Sequence, residues 1–379
     1  MPIPDGRGER AVPDRAPPLD MDATVAGEIP FRPLSISEML DGAIACVRLF
    51  PRAVLGPSLA ITAVIQVAGS IAAYYFVGRT ARAEVSPDWI VRSVGTQFAL
   101  GAFGLVLSAF GIVVLAGMLG PVLGRALMGS RATLRSTWRD TRPRLWRLIG
   151  IALIVTLLPL AAMIVPVVPF ALFLAVEADP VAILLAAVIG FPVGAVLMIW
   201  LYVLLVLAAP ALVLERETAG GALERAWTLS KGRWWRTCGT LLLAILVTVF
   251  MGFFALRIPF LLIQLLFFGS GGDQSTTILA LTVDTVGRIV SWTVVLPFDA
   301  GVIALLYIDR RMRREGFDLE LRARVHESAA APRAAGNGQA AAEDGEQDGE
   351  QDGREPGDDF VAHWRVRPSL QPGATRGTP

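Results

Sequence analysis

The residues most able to do hydrolytic or redox chemistry are missing from the parts of this chain that could position them. The two histidines, His326 and His363, both fall in a polar C-terminal stretch. Imidazole is the commonest general base near neutral pH and the commonest metal ligand, so the rest of the chain lacks both. The two cysteines, Cys46 and Cys238, stand singly, each near the start of an apolar run. Neither has the paired spacing of a disulfide framework or a metal site. No phosphate-binding glycine loop, GxSxG elbow, HExxH helix or dinucleotide-binding glycine run stands in a workable context. The expectation is a chain with no enzymatic activity, no metal and no cofactor.

Two other constellations remain. The first is a set of ionisable residues within or beside apolar segments: Arg257, Asp284, Arg288 and Asp299. Charge inside a bilayer is expensive and often functional. Asp284 and Arg288 are four apart and can pair on one helix face. These residues suit either a polar path for an ion or lipid headgroup, or a plainer arrangement. In the plainer one, which is favoured, Arg257, Asp284 and Arg288 mark the outer membrane surface and Asp299 is satisfied inside the bundle. The second constellation interleaves cations with aromatics. Arg135, Trp138, Arg139, Arg142, Arg144, Trp146 and Arg147 form one group. Arg225, Trp227, Lys231, Arg233, Trp234, Trp235 and Arg236 form the other. Tryptophan favours the headgroup level of a membrane, and arginine pairs bidentately with phosphate. Contact with anionic lipid headgroups is expected there; nucleic acid is not.

These groups are positioned by long apolar segments. The chain has 379 residues, 54% hydrophobic and only 18% charged, against roughly 25% charged in a soluble domain. The charges crowd between apolar runs long enough to cross about 30 Å of hydrocarbon as helices. Spans are placed at about 54–77, 95–119, 148–176, 181–214, 238–268 and 278–308. The fifth is interrupted by Arg257 and Pro259, so residues 258–268 are open to spanning, re-entering or lying on the outer surface. Proline at 159, 166, 169 and 192 predicts kinks.

Orientation follows from the basic residues. Segment 120–147 carries seven Arg, 215–236 carries four Arg and Lys231, and 309–324 carries six Arg. The alternate loops are poorer: three Arg in 78–92, none in 177–180 and only Arg288 in 269–288. Both termini are therefore expected in the cytoplasm, and even parity supports six spans. Lys231 is the only lysine, a bias that points to a GC-rich bacterial source and so to a bacterial plasma membrane.

An internal repeat emerges at the basic boundaries. Leu40 precedes Gly56 by sixteen residues, as Leu134 precedes Gly150 and Leu223 precedes Gly239. The stretches LFPRAVLG, RPRLWRLIG and KGRWWRTCG close the three copies. The reading is an all-α polytopic bundle of three units, each an interfacial helix followed by two spans. The first interfacial helix runs from Ser35 to Phe50. Its apolar residues Ile36, Met39, Leu40, Ile44, Val47 and Phe50 recur at helical spacing, and Ser35 with Glu38 makes a capping box.

The flanks differ. Residues 1–30 are rich in proline and charge, lack an apolar signal-peptide core and are expected to be disordered, as is the acidic low-complexity tail 326–379. The membrane domain is residues 31–325.

Three stretches resemble a known family. RPLSISEMLDGAIACVRLF, PALVLERETAGGALERAWTLSKGRWWRTCG and LPFDAGVIALLYIDRRMRREGFDLEL are similar to signature segments of actinobacterial multi-pass membrane proteins. Those proteins are themselves described as similar to the membrane domain of glycerophosphoryl diester phosphodiesterase. The resemblance covers about residues 31–321. It implies a polytopic helical domain and not the phosphodiesterase, whose separate (β/α)-barrel carries metal-binding carboxylates and histidines. The segments outside the spans are too short for such a barrel. The resemblance assigns no functional residue. In the last stretch, Asp309 and Arg313 are expected to pair, and Asp309 through Arg314 to form an exit helix at the cytoplasmic surface, capped by Gly316.

The expected function is a non-enzymatic membrane domain that binds lipid or organises a membrane-protein partner. The alternative is a transporter or lipid flippase, with a polar path near the last two spans.

Overall fold

The computed structural model describes residues 24–25, 29–30, 34–80, 87–127, 132–268 and 274–315. It is an all-α bundle with six helices long and apolar enough to cross a membrane. The tail 326–379 and Gly316 lie outside the described residues. Of the N-terminal segment, Thr24–Val25 and Ile29–Pro30 form a two-residue antiparallel pair.

The elements repeat in the order the sixteen-residue spacing predicts. The first set is α1 (Ile36–Leu49), α2 (Pro51–Thr80) and α3 (Pro87–Leu127). In the second, α4 (Leu134–Thr141) and a 3₁₀ turn lead into α5 (Leu145–Ala175). The return span is α6 (Pro180–Leu205), completed by α7 (Ala208–Leu214). The third comprises α8 (Ala219–Ser230), α9 (Trp234–Val249), α10 (Ile258–Phe268) and α11 (Gln274–Glu315). The first helix of each set, α1, α4 and α8, starts on a hydroxyl cap. Ser35 Oγ accepts from Glu38 N and the Glu38 carboxylate accepts from Ser35 N, which completes the capping box. Thr133 and Ser136 form a second capping box at α4, and the Thr218 hydroxyl accepts from Gly221 N at the start of α8. These caps satisfy amide donors that a helix start leaves unpaired. The recurring glycines, Gly56, Gly150 and Gly239, are each the sixth residue of α2, α5 and α9. Only Gly56 has a close neighbour across the helix: a Cβ there would lie 3.2 Å from Leu134 Cδ1.

The basic ends of α2, α5, α9 and α11 share one side of the bundle, the arginine-rich end below. The centre is α11. Every residue from Val295 to Met312 is buried, as expected of a helix surrounded by others. Helix α1, expected at the membrane interface, packs into the bundle. Met39, Ala43 and Cys46 are buried, and a Cβ on Gly301 of α11 would lie 3.3 Å from Ala43 Cβ. Small residues on both helices allow that approach, while Ile44 and Leu49 stay exposed.

The fifth segment, expected to be interrupted at Arg257 and Pro259, is helical throughout residues 234–268. Residues 250–257 adopt a π-helical stretch that joins α9 to α10. Pro259 has no amide hydrogen to donate to the preceding turn, and a local change to i→i+5 bonding accommodates such a loss. Helix α10 then packs beside the start of α11, where a Cβ on Gly287 would lie 2.6 Å from the Phe260 ring.

Helices α5 and α6 pair as a hairpin joined by a short turn. A Cβ on Gly190 would lie 2.5 Å from Pro166 O, and one on Gly194 would lie 2.7 Å from Met163 O. Two glycines four apart thus bring the helix backbones together.

Candidate functional site: the arginine-rich end

Three charged latches organise this end, one at the exit of each second span. At the end of α3, Arg125 Nη2 lies 2.7 Å from Asp140 Oδ2 on α4. At the end of α7, Glu215 is held by Arg225 of α8 at 3.0 Å. Arg311 of α11 also approaches Glu215, at 3.7 Å, and the Tyr307 hydroxyl donates to Glu215 Oε1. At the end of α11, Asp309 Oδ1 accepts from Leu34 N, just ahead of α1, at 3.0 Å. Arg313 pairs with the same carboxylate at 2.8 Å, while its Nη2 and that of Arg236 each donate to Leu34 O at 2.8 Å. The exits of the first and second sets thus hold the next short helix, and the exit of the third returns to the first. The latches close a ring.

This ring corrects the expected surface exit helix. The Asp309–Arg313 pair forms, but Arg310 and Arg311 are only 1% and 2% exposed. Arg310 Nη2 donates to Thr237 Oγ1 at 2.6 Å and to Arg233 O at 3.1 Å. A guanidinium carries five donors on a rigid fork, so it can cross-link α9 and α11 where a span boundary alone would leave it in water. Arg225, expected at the lipid rim, likewise turns inward to Glu215, because that carboxylate is buried and needs a cation. Arg236 is half-buried and committed to Leu34 O.

The rest of the predicted rim divides into two groups. Arg135, Arg139, Arg142, Trp146, Arg147, Lys231, Arg233 and Trp235 are exposed. Trp146 and Trp235 are the second residues of α5 and α9 and are 84% and 82% exposed, so two spans begin on the same outward tryptophan. Arg144 is half-buried and lines a polar pocket of about 270 Å³ with Arg139, Asp140, Pro143 and Arg216. Arg216 holds a left-handed backbone, φ 57°. Residue spacing does not signal that pocket, because Arg216 lies outside both Arg/Trp groups.

A second cavity is apolar. It is an open groove of about 840 Å³ between α2, α3, α4 and α5, with Arg135 and Trp138 at one end.

The ionisable residues in the spans are paired where described. Arg288 Nη2 lies 3.2 Å from Asp284 Oδ2 and donates to Ser70 Oγ at 2.8 Å. Ser70 also bonds Thr285 Oγ1 at 2.9 Å. Asp299 is buried and accepts from Thr248 Oγ1 at 2.7 Å. The side chain of Arg257 lies outside the described residues. No group of three or more His, Cys, Asp or Glu able to hold a metal occurs among the described residues.

Compared with known protein families, curated proteins and solved structures, the chain matches none.

Proposed function

We propose that this protein is a non-enzymatic domain of a bacterial plasma membrane that binds anionic lipid at its cytoplasmic, arginine-rich face and can present that face to a membrane-protein partner. The observation that carries the reading is the paired placement of Trp146 and Trp235. Each sits fully outward on the first turn of a span, with Arg147 and Arg233 beside it. Tryptophan settles at the headgroup depth, and each nearby arginine gains roughly 1 kcal/mol from an anionic leaflet. The polar pocket of Arg139, Arg144 and Arg216 adds cations at the same end.

The test is native mass spectrometry of the protein released from nanodiscs containing equal phosphatidylglycerol and phosphatidylcholine. Retention of phosphatidylglycerol is expected, and it falls when Arg147 and Arg233 are both changed to Ala. Equal retention of the two lipids would sink the proposal.

A transport reading draws on a different observation. Ser70, Asp284, Thr285 and Arg288 form a polar string between α2 and α11, and Asp299 is buried on the same α11 helix. Each group has a partner within the protein, which favours a structural role. Ion or lipid flux in liposomes, sensitive to Asp284→Ala, would reverse that preference.

A further inference from the structure

We propose that the apolar groove between α2, α3, α4 and α5 binds one anionic phospholipid of the arginine-rich leaflet, with an acyl chain along α2 and the phosphate on Arg135. The inference rests on the lipid-binding reading and gives it a place.

The walls of the groove are hydrocarbon. Pro57, Ala60, Ile61 and Val64 come from α2, and Phe110 and Val114 from α3. From Gly56 to Ile65 the groove follows α2 for about 13 Å at 1.5 Å per residue, close to half of a hydrocarbon core of about 30 Å. That depth suits a chain from one leaflet. Water in such a slot would face apolar walls alone, and a hydrocarbon chain removes that contact. Among the described residues no element covers this side: Val64 is 72% exposed.

The polar end fits a phosphate. Arg135 and Trp138 both project from α4 at the groove's arginine-rich end. Arg125, Arg225 and Arg313 are occupied by carboxylates. Arg135, by contrast, has no hydrogen-bond or ion-pair partner among the described residues. One unpaired guanidinium above an apolar slot, with a tryptophan at the same depth, complements one anionic headgroup and one chain. Gly56 helps to shape the slot, because Leu134 of α4 packs against it where a side chain would stand.

The test uses the full chain in nanodiscs carrying a trace of phosphatidylglycerol, or of phosphatidylcholine, with a diazirine midway along one chain. Photo-crosslinked peptides are located by mass spectrometry. Phosphatidylglycerol is expected to mark the α2 segment 60–65, and Ala60→Trp or Val64→Trp, which fill the groove, to abolish that mark. Arg135→Ala is expected to reduce the phosphatidylglycerol preference at this segment about fivefold, equivalent to about 1 kcal/mol. Equal marking by both lipids, or marking unmoved by both tryptophan variants, overturns the groove proposal. Retention of phosphatidylglycerol by the whole protein without marking in the groove defeats this inference alone. Loss of both defeats the lipid-binding reading as well.

Discussion

The hydroxyl of Tyr307 donates to Oε1 of Glu215, a carboxylate 92 residues earlier in the chain, and both side chains are buried. The bond ties the central helix α11 to the exit of the fourth span. It also completes a site where Arg225 and Arg311 converge on one carboxylate.

Removing that carboxylate leaves buried cations without a counter-ion, a loss of about 3–5 kcal/mol. Glu215→Ala should therefore lower the thermal midpoint in detergent far more than Tyr307→Phe, which removes one hydrogen bond to a charged group, worth about 1.5–3 kcal/mol. The double variant should be less destabilised than the sum of the two, since they share one interaction. Strict additivity in differential scanning fluorimetry would contradict the coupling.

The α5–α6 contact makes a steric prediction. Gly190→Ala would place a methyl 2.5 Å from the Pro166 carbonyl oxygen, backbone that cannot swing aside. A loss of about 1–3 kcal/mol is expected from such overpacking. Gly101→Ala in α3 meets nothing within 4 Å and should be neutral or stabilising by up to about 1 kcal/mol from helix propensity. Melting both variants under the same conditions decides it; a stable Gly190→Ala protein would rule out the close approach.

Cys46 gives a pH prediction. Burial pushes its thiol up to about 12, and the thiolate is the reactive form. Raising the pH from 7 to 9 therefore remains below the native titration, and the folded protein should stay nearly inert to N-ethylmaleimide over that range. In a Cys238→Ser background, reaction should be fast only after denaturation. Rapid labelling of the folded protein at pH 8 would show that α1 detaches from α11.

Asp299 separates structure from transport. Thr248→Val removes the hydroxyl that donates to the buried carboxylate and should cost about 1–3 kcal/mol. Asp299→Asn keeps a carbonyl acceptor for Thr248 and should fold with a near-normal melting temperature. Abolished flux in a well-folded Asp299→Asn protein would identify the residue as part of a transport path.

Topology can be checked from both sides of the membrane. In a cysteine-free background, Glu177→Cys in the α5–α6 turn should react with an impermeant maleimide in intact cells. Arg147→Cys at the arginine-rich end should react only after permeabilisation. The reverse pattern would invert the orientation.

The spans are legible in the residue order alone, because insertion depends on a contiguous apolar run of about 20 residues and needs no distant partner. Residue order also determined the three short helices, through local hydroxyl caps at Ser35, Thr133 and Thr218, and the Asp284–Arg288 and Asp309–Arg313 pairs, one helical turn apart. The order of three helix sets was visible in the sixteen-residue spacing. Which arginines are exposed and which are turned into the bundle depends on the packing of distant helices. Arg135 and Arg225 look alike in sequence, each on a short helix with a tryptophan nearby. Arg225 is drawn inward because Glu215 is buried beside it, whereas Arg135 sits over an apolar groove. The closing of the ring likewise depends on Asp309 meeting Leu34, 275 residues away. A buried charge is tolerated only where a partner is supplied, and at this end of the bundle those partners come from other helices.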